Sequence, residues 1–129
     1  MESDSTIHNI KKILIVDDES DICITFANVL EGNGFEVDTF DDPLLALQNF
    51  RKDIYDLLIL DIKMNKMNGF ELYKKINKID NKVRVCFLTA NKSIYGAFID
   101  VLSELKEKQF IQKPIGNEEL IKIINEIIN

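Results

Sequence analysis

Five polar side chains close four apolar runs: Asp17 and Asp18 after "ILIV", Asp61 after "LLIL", Thr89 after "VCFL" and Lys113 after "FIQ". Brought together, carboxylates about 4 Å apart would repel by roughly 4 kcal/mol per pair at an effective dielectric near 20. Something positive must sit among them. Lys113 can offset part of the charge, and a hard divalent cation that takes oxygen ligands and keeps several waters, Mg²⁺ first, can offset the rest. Carboxylates, such a cation, a lysine and a hydroxyl suit phosphoryl transfer, where the catalyst mainly positions groups and neutralises oxygen charge. An aspartate in that setting can itself be the nucleophile and form an acyl phosphate.

For those groups to meet, the chain must supply a scaffold that aligns the ends of its apolar runs. "KILIV" (12–16), "FEVDTF" (35–40), "DLLIL" (56–60), "VRVCFL" (83–88) and "FIQ" (110–112) have strand character. Between and after them lie segments of helical period at about 19–31, from Asp42 onward, and at about 68–79, 91–107 and 117–128. Asp42 can cap the second helix with Pro43 at its first position, and Gly32-Asn33-Gly34 stops the first. The alternation predicts an α/β fold, (βα)5, with a doubly wound, five-stranded parallel sheet whose first, third and fourth strands are central because they are apolar throughout. In such a sheet all strands end on one side, and ligands bind in the crevice beyond those ends. The acids, the hydroxyl and the lysine should therefore converge there.

A chain of 129 residues that is 46% hydrophobic supports one core, so a polar tail at 1–10 is expected to precede a single domain at 11–129. The net charge of −6 disfavours nucleic-acid and anionic-membrane surfaces, which need a basic face. The polar, acidic start "MESDSTIHN" and the lack of any apolar run near the roughly 20 residues of a membrane span argue for a cytoplasmic chain with no membrane insertion. Cys23 and Cys86 match no metal-ligand spacing and lie in apolar patterns, so neither a disulfide nor zinc is expected. His8, the one histidine, falls in the polar tail. The chain is thus expected to receive phosphoryl groups rather than donate them from histidine.

Taken in order, "IVDDE", "ILDIKMNKMNG", "FLTA" and "FIQKP" resemble the receiver domain of two-component response regulators, in the manner of a stand-alone chemotaxis-type receiver. The resemblance covers the chain from about Lys11. It implies a flavodoxin-like receiver fold with strand order 2-1-3-4-5 and a cis Lys113–Pro114 peptide. It also implies phosphorelay signal transduction, in which a histidine kinase is the phosphoryl donor and Asp61 the acceptor. Mg²⁺ would be held by Asp18 directly, Asp17 through water, Asp61, and the backbone carbonyl of Lys63. Thr89 would be the switch hydroxyl, Lys113 the cation for the phosphoryl oxygens, and Phe110 the switch aromatic. Output would pass to a downstream protein or a second copy through the fourth helix, fifth strand and fifth helix. A chain of this kind is no enzyme in the usual sense, since it promotes only its own phosphorylation and dephosphorylation. Whether it stands alone or is part of a larger regulator stays open.

Singly, each motif has a plainer reading: helix capping for Asp17-Asp18, an acidic turn at Asp61, an ordinary turn at Lys113-Pro114. The ordered set is what carries the argument. A flavodoxin-like electron carrier would cradle a flavin phosphate in its first loop, and "DDESD" would repel it. A phosphatase of the haloacid-dehalogenase type would carry a second Asp where Lys63 stands, and a pseudo-receiver would not keep all five site residues. Four departures from the receiver pattern remain. Asn65 replaces a usual proline, so its loop loses a fixed dihedral and is expected to be more mobile. Phe110 lacks a hydroxyl, "SELKEKQF" replaces a Gly-Ala turn, and the Thr89 to Lys113 stretch is slightly long. On the last helix Leu120, Ile121, Ile123, Ile124, Ile127 and Ile128 form an arc wider than the roughly 100° a surface helix needs. That arc, with Tyr95, Ile99 and Leu102 of the fourth helix, reads either as a generous core contact or as a partner face.

Overall fold

The computed structural model describes residues 10–91 and 109–129. The polar tail with His8, and nearly all of the helix expected at about 91–107 with Tyr95, Ile99 and Leu102, lie outside the described residues. The elements run β1 (Lys12–Val16), α1 (Ser20–Glu31), β2 (Glu36–Phe40), α2 (Pro43–Asn49), β3 (Leu57–Asp61), α3 (Gly69–Ile79), β4 (Arg84–Thr89), β5 (Phe110–Gln112) and α4 (Asn117–Ile128). All strand pairs are parallel and the sheet order is β2-β1-β3-β4-β5, the flavodoxin-like receiver arrangement. The Lys113–Pro114 peptide is cis.

Strand alternation divides the core between the two faces of the sheet. Ile13, Ile15, Leu57, Ile59, Cys86, Leu88 and Ile111 pack with α1 and α4, while Leu14, Val16, Leu58, Leu60, Val85, Phe87 and Phe110 pack with α2 and α3. The central strands are buried on both sides, which explains their unbroken apolar runs. Most of the α4 arc is core: Leu120, Ile124, Ile127 and Ile128 are buried, and Ile121 and Ile123 are half-buried against the same cluster. The arc is wide because α4 meets both the sheet and Cys23, Phe26 and Leu30 of α1.

Local chemistry sets the element ends. Asp42 accepts the Leu44 N–H at 2.9 Å ahead of Pro43, as its sequence suggests. Asn68 and Glu71 form a reciprocal capping box at the start of α3. Gly34, not Gly32, takes the left-handed turn after α1, with φ +94°. Two strands run one residue past the sequence reading at their carboxyl ends, β3 to Asp61 and β4 to Thr89, while β2, β3 and β4 each begin one residue later than read. The pairings Asp61↔Leu88 and Thr89↔Gln112 carry the ladder one residue further than the apolar runs do. Among the described residues β2 is the outermost strand on its side, with Glu36 exposed and Asp38 accepting from the Tyr55 hydroxyl at 2.6 Å and paired with Lys12 at 3.3 Å.

Candidate functional site

Because the site residues sit on the last rungs of the sheet or directly after them, the backbone beneath them is fixed. The Asp17 N–H bonds Phe40 O at 3.2 Å, the Ile62 N–H bonds Leu88 O at 2.9 Å, and the Lys113 N–H bonds Thr89 O at 2.8 Å. These bonds extend the β1–β2, β3–β4 and β4–β5 ladders past the strand ends, so side chains far apart in sequence are aimed into one crevice.

Lys113 is the hub. Its Nζ lies 2.9 Å from Asp17 Oδ2, 3.2 Å from Glu19 Oε1 and 3.3 Å from Asp61 Oδ1. One oxygen each from Asp17, Asp18 and Asp61 falls within 4.8 Å of the others, with Asp17 and Asp61 buried and Asp18 nearer the surface. Asp17 Oδ1 accepts the Glu19 N–H at 2.9 Å. Asp17 Oδ2 is buried and, despite its ion pair with Lys113, accepts no well-formed hydrogen bond among the described residues. A buried carboxylate oxygen lacking a donor, beside two further carboxylates, fits a hard cation with oxygen ligands.

The electrostatics agree. Burial, then the charge of Asp17, pushes the Asp61 carboxyl up to about 6 against the pull of Lys113. Burial likewise raises Asp17. Desolvation by itself would lower the Lys113 ammonium, but Asp17, Asp61 and Glu19 outweigh it and the net shift is upward. Carboxylates short of positive charge, gathered round a firmly protonated lysine, make an environment ready for a divalent ion and for an anion carrying several oxygens.

A cleft of about 250 Å³ opens over this cluster, lined by Glu19, Asp61, Lys63, Thr89, Asn91 and Lys113 among others. Thr89 is 4% exposed, and its Oγ1 accepts the Asn91 N–H at 3.1 Å, which fixes the hydroxyl at the cleft wall. Two wider depressions, about 300 and 440 Å³, lie elsewhere around Tyr55 and do not include these groups. Phe110 is not in the cleft. It is buried beneath it, with ring centroids 5.5 Å from Phe87 and 6.4 Å from Phe70. Cys23 lies behind the site, donating from Sγ to Asp17 O at 3.3 Å, and burial followed by the Asp17 charge pushes its thiol up to about 11.

Two site features escaped the sequence reading. Glu19 reaches Lys113, and the only signal for that was its place two residues after Asp17, at the start of α1. The other is the N–H that Asn65 has and a proline lacks, which donates to Asp18 Oδ2 at 3.3 Å. The same loop is tied by Lys66 Nζ to Asp42 at 2.6 Å and by the Gly69 N–H to Ile62 O at 2.9 Å.

Comparison with known proteins gives the family. A family model described as "Response regulator receiver domain" matches residues 13–125. The transcriptional regulatory protein CpxR homolog of Haemophilus influenzae is 40% identical over 119 residues, covering 91% of this chain and 50% of that protein. The chemotaxis protein CheY of Bacillus subtilis is 30% identical over 119 residues, covering 92% and 98%. Among solved structures, the response regulator protein TrrA from Thermotoga maritima, in complex with Mg(2+)-BeF, is similar with a TM-score of 0.76 and 29% identity, covering 92% of this chain and 99% of that one. The chain thus spans half the length of the first relative and nearly all of the other two.

Proposed function

Because the chain belongs to the response regulator receiver family, we propose that it accepts a phosphoryl group from a histidine kinase on Asp61, with Mg²⁺ bound, and relays the change through a protein–protein surface. Receiver domains act as phosphoacceptors rather than as enzymes on a separate substrate. The observation that carries the reading is the Lys113 ammonium between Asp17 and Asp61, facing a cleft shared with Thr89.

In this reading an Asp61 carboxylate oxygen attacks phosphorus in line with the departing imidazole. The phosphorus–nitrogen bond of the donor breaks, the acyl phosphate bond forms, and the imidazole leaves with a proton. With its carboxyl pushed to about 6, Asp61 is mostly ionised at neutral pH and so is available as a nucleophile. Lys113 and the Thr89 hydroxyl then meet the new phosphoryl oxygens. Mg²⁺, held by Asp18, Asp61, the Lys63 backbone carbonyl and, through water, Asp17, would neutralise charge on the carboxylate and phosphoryl oxygens. Phe110, lacking a hydroxyl, would follow Thr89 only by repacking against Phe87 and Phe70.

Output to a downstream protein or a second copy would use β5, α4 and the helix expected at about 91–107. Among the described residues no helix is long and apolar enough to cross a membrane, and the proposal puts the chain in the cytoplasm with its kinase. The test is intact-mass analysis after incubation with acetyl phosphate and Mg²⁺. One phosphoryl adduct is expected, lost in Asp61→Asn, and an Asn variant that labels as well as the parent would overturn the acceptor assignment.

A further inference from the structure

We propose that Glu19 is a counter-charge that holds Lys113 before phosphorylation and must release it when a phosphoryl group arrives, so that Glu19 sets how readily the site takes highly charged phosphoryl donors. The inference rests on the acceptor reading above and adds a positioning residue to it. A lysine ammonium has three N–H donors and no more. Within 3.3 Å of the Lys113 Nζ stand three acids, Asp17, Glu19 and Asp61. A phosphoryl oxygen that approaches the ammonium must share it with these acids or displace one of them.

The three acids are not equally held. The Asp17 side chain is 0% exposed and that of Asp61 7%, and both are carried on the sheet, whereas the Glu19 side chain is 65% exposed. Glu19 can swing into water at little cost, since an ion pair with one exposed partner is weak. Asp17 and Asp61 cannot leave without a local rearrangement of the strand ends. Even so, Lys113 donates a hydrogen bond to Glu19 at 3.2 Å, beside its 2.9 Å ion pair with Asp17 Oδ2. Glu19 also lines the cleft with Asp61, Thr89 and Lys113, so its charge faces an incoming dianion.

Among the described residues, the Glu19 carboxylate makes one hydrogen bond and ion pair, the one to Lys113. It stands at the N-cap position of α1, but its side chain makes no capping hydrogen bond there, and the contact to Asp17 is made by its backbone N–H. Glu19→Gln and Glu19→Ala should therefore fold as the parent does, and differ from it mainly in charge.

The experiment compares the parent with both variants at saturating Mg²⁺. Initial labelling rates are measured with acetyl phosphate and with the more weakly charged phosphoramidate. Beryllofluoride, a phosphoryl mimic, is titrated against melting temperature. Both variants are expected to label about threefold to tenfold faster with acetyl phosphate, with a smaller gain for phosphoramidate and a gain that shrinks as salt is added. The beryllofluoride concentration needed for half-maximal stabilisation should fall in both. A purely structural effect would move the two donors together. Variants that label no faster than a labelling parent, or need as much beryllofluoride, overturn this proposal alone, and a parent that takes no phosphoryl group overturns the acceptor assignment and this proposal with it.

Discussion

The backbone N–H of Asn65 donates to Asp18 Oδ2 across 3.3 Å, joining the loop after β3 to the loop after β1. The bond presets one carboxylate of the cluster by means of a donor that proline does not have. Asn65→Pro is expected to weaken Mg²⁺ binding by about two- to fivefold, the scale of one modest hydrogen bond. Asn65→Ala keeps the N–H and should bind as the parent does. Isothermal titration calorimetry of the two variants decides it, and equal dissociation constants would remove the bond from the account.

Asp61 gives a pH dependence with a defined sign. Its folded-state value of about 6 lies above the 3.8 of an ordinary Asp, so between those values the native state holds more protons than the unfolded one, and stability falls as pH rises through the window. The penalty is complete above pH 6 and is of order 3 kcal/mol. In metal-free buffer, Asp61→Asn should be more stable than the parent at pH 7.5, and the gap should narrow by about 1 kcal/mol at pH 5. Urea melts at the two pH values measure this, and a gap that widens on acidification would refute the assignment.

Metal should relieve the same charge. Added Mg²⁺ is expected to raise the melting temperature of the parent by binding the folded state alone. Asp18→Ala should abolish most of that response, and a full response in this variant would exclude Asp18 as a ligand.

Gly69 backs directly onto the proposed acceptor. A Cβ at this position would stand 2.4 Å from the Asp61 carbonyl oxygen and 3.1 Å from Ile62 Cα, both of them backbone. Gly69→Ala should therefore cost roughly 1–3 kcal/mol and slow labelling by moving the Asp61 main chain. Gly116→Ala is the control: a Cβ there meets nothing within 4 Å among the described residues, so it should leave labelling unchanged and cost at most about 1 kcal/mol as a poorer N-cap of α4.

The lifetime of the phosphoryl group depends on the approach of water. Lys63 and Asn91 line the cleft beside Asp61. Lys63 is cationic and has no acceptor to draw a proton from water, and Asn91 is a poor base. Slow hydrolysis is expected, with Lys63→Asn and Asn91→Glu decaying faster than the parent once donor is removed. Faster decay in the parent than in both variants would refute it.

The sheet could be read from the sequence because its central strands are covered on both sides and so have no polar alternation to obscure them. The site could be read because a polar residue after such a run has one crevice to face. The exact strand ends were not legible, since Asp61 and Thr89 pair by backbone groups whatever their side chains are. Nor was the burden on α4, whose apolar arc answers two neighbours, the sheet and α1, that only the tertiary arrangement brings together. Glu19 and the Asn65 N–H stayed hidden for a related reason. An exposed acid at a helix start and a backbone donor in a turn look ordinary until Lys113 and Asp18 arrive beside them.

The position of β2 at the margin of the sheet bears on how the molecule behaves in a crowd. A marginal strand offers unsatisfied backbone groups on which a neighbour could add a strand, the first step toward fibrous accretion. Here that margin carries Glu36 and Asp38 two residues apart on a chain whose net charge is −6. Two copies pairing margin to margin about a two-fold axis would run antiparallel and bring the acids of one strand toward those of the other, so like charge opposes the shared register.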